Sequence, residues 1–436
     1  MELLGIVFLF VVLFILLFLK IPVAYSVGIA TTLTMLLHLP FLPSVTTVMQ
    51  RMTTGVDSFA LLAIPFFILA GDIMNQGGIA NRLIDFSKSL VGSFPGGLLY
   101  VNILSAMFFG AVSGSAVASA SAIGGILNHR MEQEGYKKTF SASVNITAST
   151  VGLIIPPSNV LIVFALASGG AASIEALFLA GYVPGILLGM GLMLVAGYFA
   201  VKNKFPSGET VSFRRLFRTF SRSFLSLLLI IIVVGGIVMG VFTATEGAVI
   251  AVVYALLLSF FYRQIRLKDL PKIILSSART TAIVMFLICT SMALSWLFAF
   301  NNVPELISEH LLGDINNPIM ILLIINIILL IVGIFMDITP AILIFTPIFL
   351  PIVTSFGVHP VHFGIVMVLN LCIGLCTPPV GTLLFVGSGV ARVEMTKVIR
   401  PLLPFLAVMI AVLFIVTYIP ELAMYLPKLF GVIKLV

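Results

Sequence analysis

Four stretches of the chain place small hydroxyls, amides or a carboxylate beside residues that break helices. They are Ser113-Gly114-Ser115 within GAVSGSAVASAS (110–121), Ser158-Asn159 directly after Pro156-Pro157, Asp337 and Thr339 within GIFMDITPAI (333–342), and Thr377, Gly381 and Thr382 around Pro378-Pro379. A broken helix leaves free N–H groups with partial positive charge at one new end, which hold an anion without a buried Lys or Arg. The other new end and any unwound backbone offer carbonyl oxygens to a small, hard cation. Small residues such as Gly114 let either ligand approach the backbone. Two clusters are therefore expected, Ser113, Gly114 and Ser115 with Ser158 and Asn159, and Asp337 and Thr339 with Thr377, Gly381 and Thr382. Asp337 is the sharpest of these, because a carboxylate deep in an apolar run is costly and usually functional. Asn145 backs up the ion site or bonds to a neighbouring helix. Ala116, Ala118, Ala120, Ser119 and Ser121 read as close-packing residues. Asp57 and Asp72 are expected near the ends of a span at 59–76, and Glu246 as a cap or scaffold ion pair.

The elements that must position these residues are membrane helices. Hydrophobic residues make up 60% of the 436 and charged residues only 9%, with a mean hydropathy of +1.24. Globular domains carry roughly 25% charged residues, so a soluble protein is excluded. Solid apolar runs such as LLGIVFLFVVLFILLFL (3–19) approach the ~20 residues that cross a bilayer as a helix. They do not alternate as barrel strands do. That first run lacks a basic leader and a small-residue cleavage site, so it reads as a retained helix rather than a signal peptide. The net charge of +7 is spread over short clusters between spans, which is no nucleic-acid signature. Cys372 and Cys376 share a helix face, but with no His or acid nearby they read as small core residues. The five histidines lie at loop edges without a ligand pattern. No HExxH, no serine nucleophile near a His and no paired membrane aspartates occur, so the chain reads as a non-enzyme.

Lys and Arg cluster at 82–88, 129–138, 202–222, 263–279 and 392–400, and none lies between Arg279 and Arg392. Positive-inside reasoning places the five clusters in the cytoplasm and the turns at 301–317 and 354–362 outside. The segment 98–128 then starts and ends inside, and 318–352 starts and ends outside. Each is apolar with a small, polar middle, which suits a buried re-entrant hairpin. Proline removes a donor and clashes with the preceding turn, so each double proline splits the span that follows its hairpin. At an offset of 222 residues Ser115 falls on Asp337, Gly152 on Gly374, and Pro156-Pro157 on Pro378-Pro379. The expected fold is an all-α polytopic membrane protein with an inverted-topology repeat, two re-entrant hairpins and two broken transmembrane helices. The breaks should face the hairpin tips across a pseudo-two-fold axis and form one central site. A channel needs no such halves.

GAVSGSAVASASAIG (110–124), IIPPSNVLIVFA (154–165), FTATEGAVIAV (242–252), MDITPAILIFTPIFLPI (336–352) and CTPPVGTLLFVG (376–387) closely resemble the large membrane subunit of tripartite ATP-independent periplasmic (TRAP) transporters. The resemblance runs over essentially the whole chain. It implies an ion-transporter-superfamily elevator fold in the bacterial inner membrane and sodium-driven import of an organic acid, such as sialic acid, a sugar acid or a C4-dicarboxylate. It also implies a small four-helix membrane subunit and a periplasmic substrate-binding protein as partners, and no cofactor beyond Na+ as coupling ion. Only two spans, 3–19 and 22–38, precede the repeats, so the small subunit is expected as a separate chain. The substrate set expected is Ser113, Ser115, Ser158, Asn159, Asp337, Thr339 and Thr382. The Na+ set is Ser113, Gly114, Ser115, Asn145, Pro156, Asp337, Gly374, Thr377 and Gly381. The alternative is a stand-alone carboxylate/cation symporter that needs no binding protein.

The expected division is N-terminal scaffold helices over 1–58, a first transport repeat over 59–175 (hairpin about 98–128, broken helix about 138–168), and scaffold helices over 176–279. A second repeat follows over 280–399 (hairpin about 318–352, broken helix about 362–391), with a C-terminal helix over 400–436. The FRRLFRTF core of the basic segment 202–222 looks amphipathic and interfacial.

Overall fold

The computed structural model describes residues 2–208, 213–307 and 317–433. Parts of the basic segment (209–212) and of the outer turn (308–316) lie outside the described residues. Those described form helices and no β-strand. Among the described residues, eight helices are long and apolar enough to cross a membrane.

Both hairpins form where the small, polar middles predict them. The first arm, Gly97–Ser113, stops at Gly114, which takes a left-handed φ of +61°, the usual way to end a helix without a Cβ penalty. Ser115 then caps the second arm, Ala116–Gln133, its hydroxyl accepting from the Ala118 N–H at 3.2 Å. In the second hairpin Pro318–Phe335 gives way to extended backbone at Met336 and Asp337 before Ile338–Ser355 begins. The broken helices are Lys138–Val151 with Asn159–Ala167, and Pro360–Cys376 with Thr382–Ala391, and each gap holds its double proline.

The inverted repeat is visible in the packing. In each half the first hairpin arm runs along the pre-break helix: Gly97–Ser113 on Lys138–Val151, and Pro318–Phe335 on Pro360–Cys376. Glycines make both approaches possible. A methyl added at Gly110 would come within 2.6 Å of the Gly152 Cα, and one at Gly333 within 3.0 Å of the Gly374 Cα. The post-break helices cross over instead. Asn159–Ala167 packs on Ile338–Ser355, and Thr382–Ala391 packs on Ala116–Gln133. At the crossing the Cys372 thiol reaches the Thr150 carbonyl at 3.8 Å, and these two residues are 222 apart in sequence. A residue touching its own repeat equivalent marks the pseudo-two-fold axis.

The remaining helices are described by the neighbours they pack on. Ile174–Lys202, expected with the scaffold, packs on Gly97–Ser113, Lys138–Val151, Pro360–Cys376 and the C-terminal pair Met395–Tyr418 and Glu421–Leu429. Ala63–Gln76 packs instead on Ala244–Phe261, and Leu270–Phe300 on Val23–His38 and Phe41–Val56. Apolar helices look alike in sequence whichever neighbour they bury against, so hydropathy cannot assign them to a group. Phe41–Val56 is a third helix before the repeats, with only Ser44 and Val48 buried. The FRRLFRTF stretch opens a single long helix, Phe213–Val238.

Candidate functional site

Both hairpin tips, both post-break helices and two helices of the other packing group meet around a cavity of about 300 Å³. Ser113, Gly114 and Ser115 come from the first tip and Asp337 and Thr339 from the second, with Asn159 and Thr382 from the post-break helices. Ile64, Ile68, Gly71 and Asp72, with Thr280 and Val284, form the opposite wall. Four helices begin at cavity-lining residues, namely Ala116, Asn159, Ile338 and Thr382. Their N-termini therefore point partial positive charge and unsatisfied donors at one space. No Lys, Arg or His is among the lining residues, whereas two carboxylates, Asp72 and Asp337, are.

Asp337 occupies the N-cap position of Ile338–Ser355 without a cap bond, and its carboxylate lies in the cavity, where the Ile338 N–H and the Thr382 hydroxyl interact with it. The first tip is tied together locally: Ser115 N–H and the Ser113 hydroxyl are 3.4 Å apart. A Cβ on Gly114 would stand 3.0 Å from the Asn159 side-chain nitrogen, so tip and post-break helix are in direct contact. At the second break, carbonyls of Leu375 and Thr377 converge on Gly381, each within 2.9 Å of where its Cβ would be. That arrangement of backbone oxygens suits a hard cation.

Of the residues singled out in the sequence, Ser113, Gly114, Ser115, Asn159, Asp337, Thr339 and Thr382 line the cavity together. Ser158, Asn145, Pro156, Gly374, Thr377 and Gly381 do not. Ser158 is buried and donates to the Leu153 carbonyl inside the break. Thr377 closes the pre-break helix by donating to the Ile373 carbonyl at 2.7 Å. Asn145 bonds to the neighbouring hairpin arm through the Ala120 carbonyl at 2.9 Å, and its own carbonyl oxygen has no partner among the described residues. Glu246 closes a capping box with Thr243, accepting its N–H at 2.8 Å.

The sequence reading missed the opposite wall. Asp72, four residues before the end of the span Phe59–Gln76, is also a cavity residue, its carboxylate accepting from the Ser277 hydroxyl of Leu270–Phe300 at 2.6 Å. Gly71 beside it faces the first tip so closely that a Cβ would stand 2.7 Å from the Ser113 carbonyl oxygen. The available signal was an acid in LAGDIMN together with hydroxyls in LSSARTT.

The profile of the tripartite ATP-independent periplasmic transporter DctM component matches residues 10–422. The chain belongs to the DctM family. It is 51% identical to the Salmonella typhimurium protein YgiK, which is uncharacterised, over 94% of both chains. It is 41% identical to the large permease protein DctM of a C4-dicarboxylate TRAP transporter from Pseudomonas aeruginosa, over 93% of this chain and 94% of that one. The fold is similar to that of the YdaH transporter from Alcanivorax borkumensis, with a TM-score of 0.64, 14% identity, and coverage of 86% and 88%. Membership makes this chain a transporter permease rather than an enzyme and places it, with its many apolar helices, in the bacterial inner membrane.

Proposed function

We propose that the chain imports an organic acid across the inner membrane by coupling it to Na+, and that the substrate arrives from a periplasmic binding protein. The cavity is the substrate site and the two repeats carry it past the opposite wall in an elevator movement. The carrying observation is four helix N-termini converging on a space that holds two carboxylates and no basic side chain. The N-termini supply donors for a carboxylate substrate. The carboxylates make an anion unwelcome unless cations enter with it, which is the physical basis of symport. Cation ligands would come from Asp337, Ser113, Gly114 and Ser115, with backbone at Pro156, Gly374, Thr377 and Gly381 and Asn145 in support. The substrate would meet Ser113, Ser115, Asn159, Thr339 and Thr382. Family membership brings a small membrane subunit and a binding protein into the assembly.

The test is uptake into proteoliposomes holding both membrane subunits, with binding protein outside. Sialic acid, a sugar acid and a C4-dicarboxylate are each offered with its matching ligand-loaded protein. Accumulation with an inward Na+ gradient, abolished when K+ replaces Na+, is the expected result. Equal uptake in the two salts would remove the coupling assignment.

A further inference from the structure

A second cavity, of about 440 Å³, opens on the face that the Lys and Arg clusters assign to the cytoplasm. It lies where the helix Ile79–Val91 packs along the start of Phe213–Val238, closed by Gln264 from the loop after Ala244–Phe261. Arg82, Arg222 and Asp85 are its charged residues. Arg82 is held from several directions. Its guanidinium stacks on Tyr262, 3.2 Å from the ring centroid, Nη1 reaches the Arg222 carbonyl at 3.5 Å, and its own carbonyl accepts from the Ser223 hydroxyl at 2.8 Å. One N–H is used and the rest of the five-donor fork is left over. The Arg222 side chain has no hydrogen bond or ion pair among the described residues, and Asp85 is within ion-pair distance of neither arginine. A fixed guanidinium and a free one against a single carboxylate leave the cavity positive.

Its surroundings point to the kind of anion. Arg214, Arg218 and Arg222 recur every four residues on Phe213–Val238, and Phe217, Phe220 and Phe224 are exposed alongside them at 66%, 40% and 41%. Charged heads beside exposed rings at the start of a membrane span put this surface at headgroup depth. Ile79–Val91 is built likewise, with Leu83, Ile84 and Phe86 buried and Asn81 and Asp85 exposed. The cytoplasmic leaflet is anionic, and basic pockets between helices on that side accept lipid headgroups.

We propose that Arg82 and Arg222 bind a phosphate group here, and that the phosphate belongs to an anionic membrane lipid. The phenyl rings lie where acyl chains would run, and Asp85 would face the headgroup alcohol rather than the phosphate. This assignment is independent of the transport reading.

The test uses the full chain co-purified with its small subunit in phosphatidylcholine nanodiscs containing phosphatidylglycerol. Native mass spectrometry counts the retained anionic lipid, and a parallel arm titrates inorganic phosphate in detergent. Arg222→Gln should retain about five-fold less phosphatidylglycerol, the effect of one basic residue near an anionic surface, and Arg222→Lys should restore most of it. Because the Arg222 side chain holds no hydrogen bond or ion pair among the described residues, this variant remains informative even if Arg82→Gln fails to fold. Equal retention in wild type and Arg222→Gln, with no Arg222-dependent phosphate binding, overturns the proposal. Binding of inorganic phosphate that depends on Arg222, without lipid retention, overturns the lipid assignment and gives the pocket to a soluble anion.

Discussion

Asp337 sits at a helix N-terminus without a cap bond, and its carboxylate faces the cavity, where it can take a partner beyond Thr382. If that partner is a coupling cation, Asp337→Asn removes a charged ligand worth about 1.5–3 kcal/mol. Na+-dependent uptake should fall roughly 10- to 100-fold, while expression and co-purification with the small subunit stay normal. Ser115→Ala is a subtler variant, because Ser115 both caps Ala116–Gln133 and lines the cavity. A cap alone is worth ~1 kcal/mol of stability. Ser115→Thr keeps a capping hydroxyl, so a transport loss in Ala that only tracks a fall in melting temperature, both restored by Thr, would fit the cap and little more. Loss of uptake beyond any change in melting temperature identifies the hydroxyl as a ligand. The cavity residues on the hairpins and breaks were legible because each stands beside a glycine, a proline or a small-residue run that spoils a membrane helix. Asp72 was not, since an acid near the end of an apolar span reads as interfacial. The cavity lining and the approach of the Ser113 carbonyl to Gly71 place it at the site.

The elements themselves were legible in proportion to their punctuation. Double prolines and polar hairpin middles give a physical reason to interrupt a helix, and the structure interrupts there. What the sequence could not supply is which helix packs on which, and the glycine contacts decide that. Gly110 on Gly152 and Gly333 on Gly374 are backbone-to-backbone approaches with no flexible side chain to give way. Gly152→Ala and Gly374→Ala should each lose about 1–3 kcal/mol, the usual cost of forcing extra volume into a packed contact. The two losses should be similar, because the sites are repeat equivalents. Gly125→Ala is the control, since a Cβ there meets nothing within 4 Å, and alanine is the better helix former. Melting curves of the three variants in detergent check this, and a neutral Gly152→Ala would mean that the hairpin arm is not seated as described.

At the scale of the whole molecule, the cavity divides two packing groups, which is where the proposed elevator would have its moving half meet its fixed one. The first tip meets the wall at Gly71, closer to the cytoplasmic end of the span Phe59–Gln76 than to its outer end, given the charge-derived orientation. Cysteine placed at Ser355 should be labelled from the periplasm and one at Ser207 only from the cytoplasm. Ser308, a third useful position, lies outside the described residues. The energetics then set what the assembly must do. Each net positive charge moved inward at 100 mV supplies ~2.3 kcal/mol, and a tenfold gradient costs ~1.4 kcal/mol. One net charge therefore supports roughly fifty-fold accumulation, and a monoanion needs at least two cations to gain that from the voltage. A domain that carries its site across the membrane also needs a counterpart that stays still, and a wider scaffold resists tilting in the bilayer. The chain alone should therefore show no concentrative uptake even with an inward Na+ gradient. Uptake should appear only when the small membrane subunit and the loaded binding protein are both supplied, and it should rise with an inside-negative potential set by valinomycin. Robust Na+-driven accumulation by the purified chain by itself would favour the stand-alone symporter and remove the need for either partner.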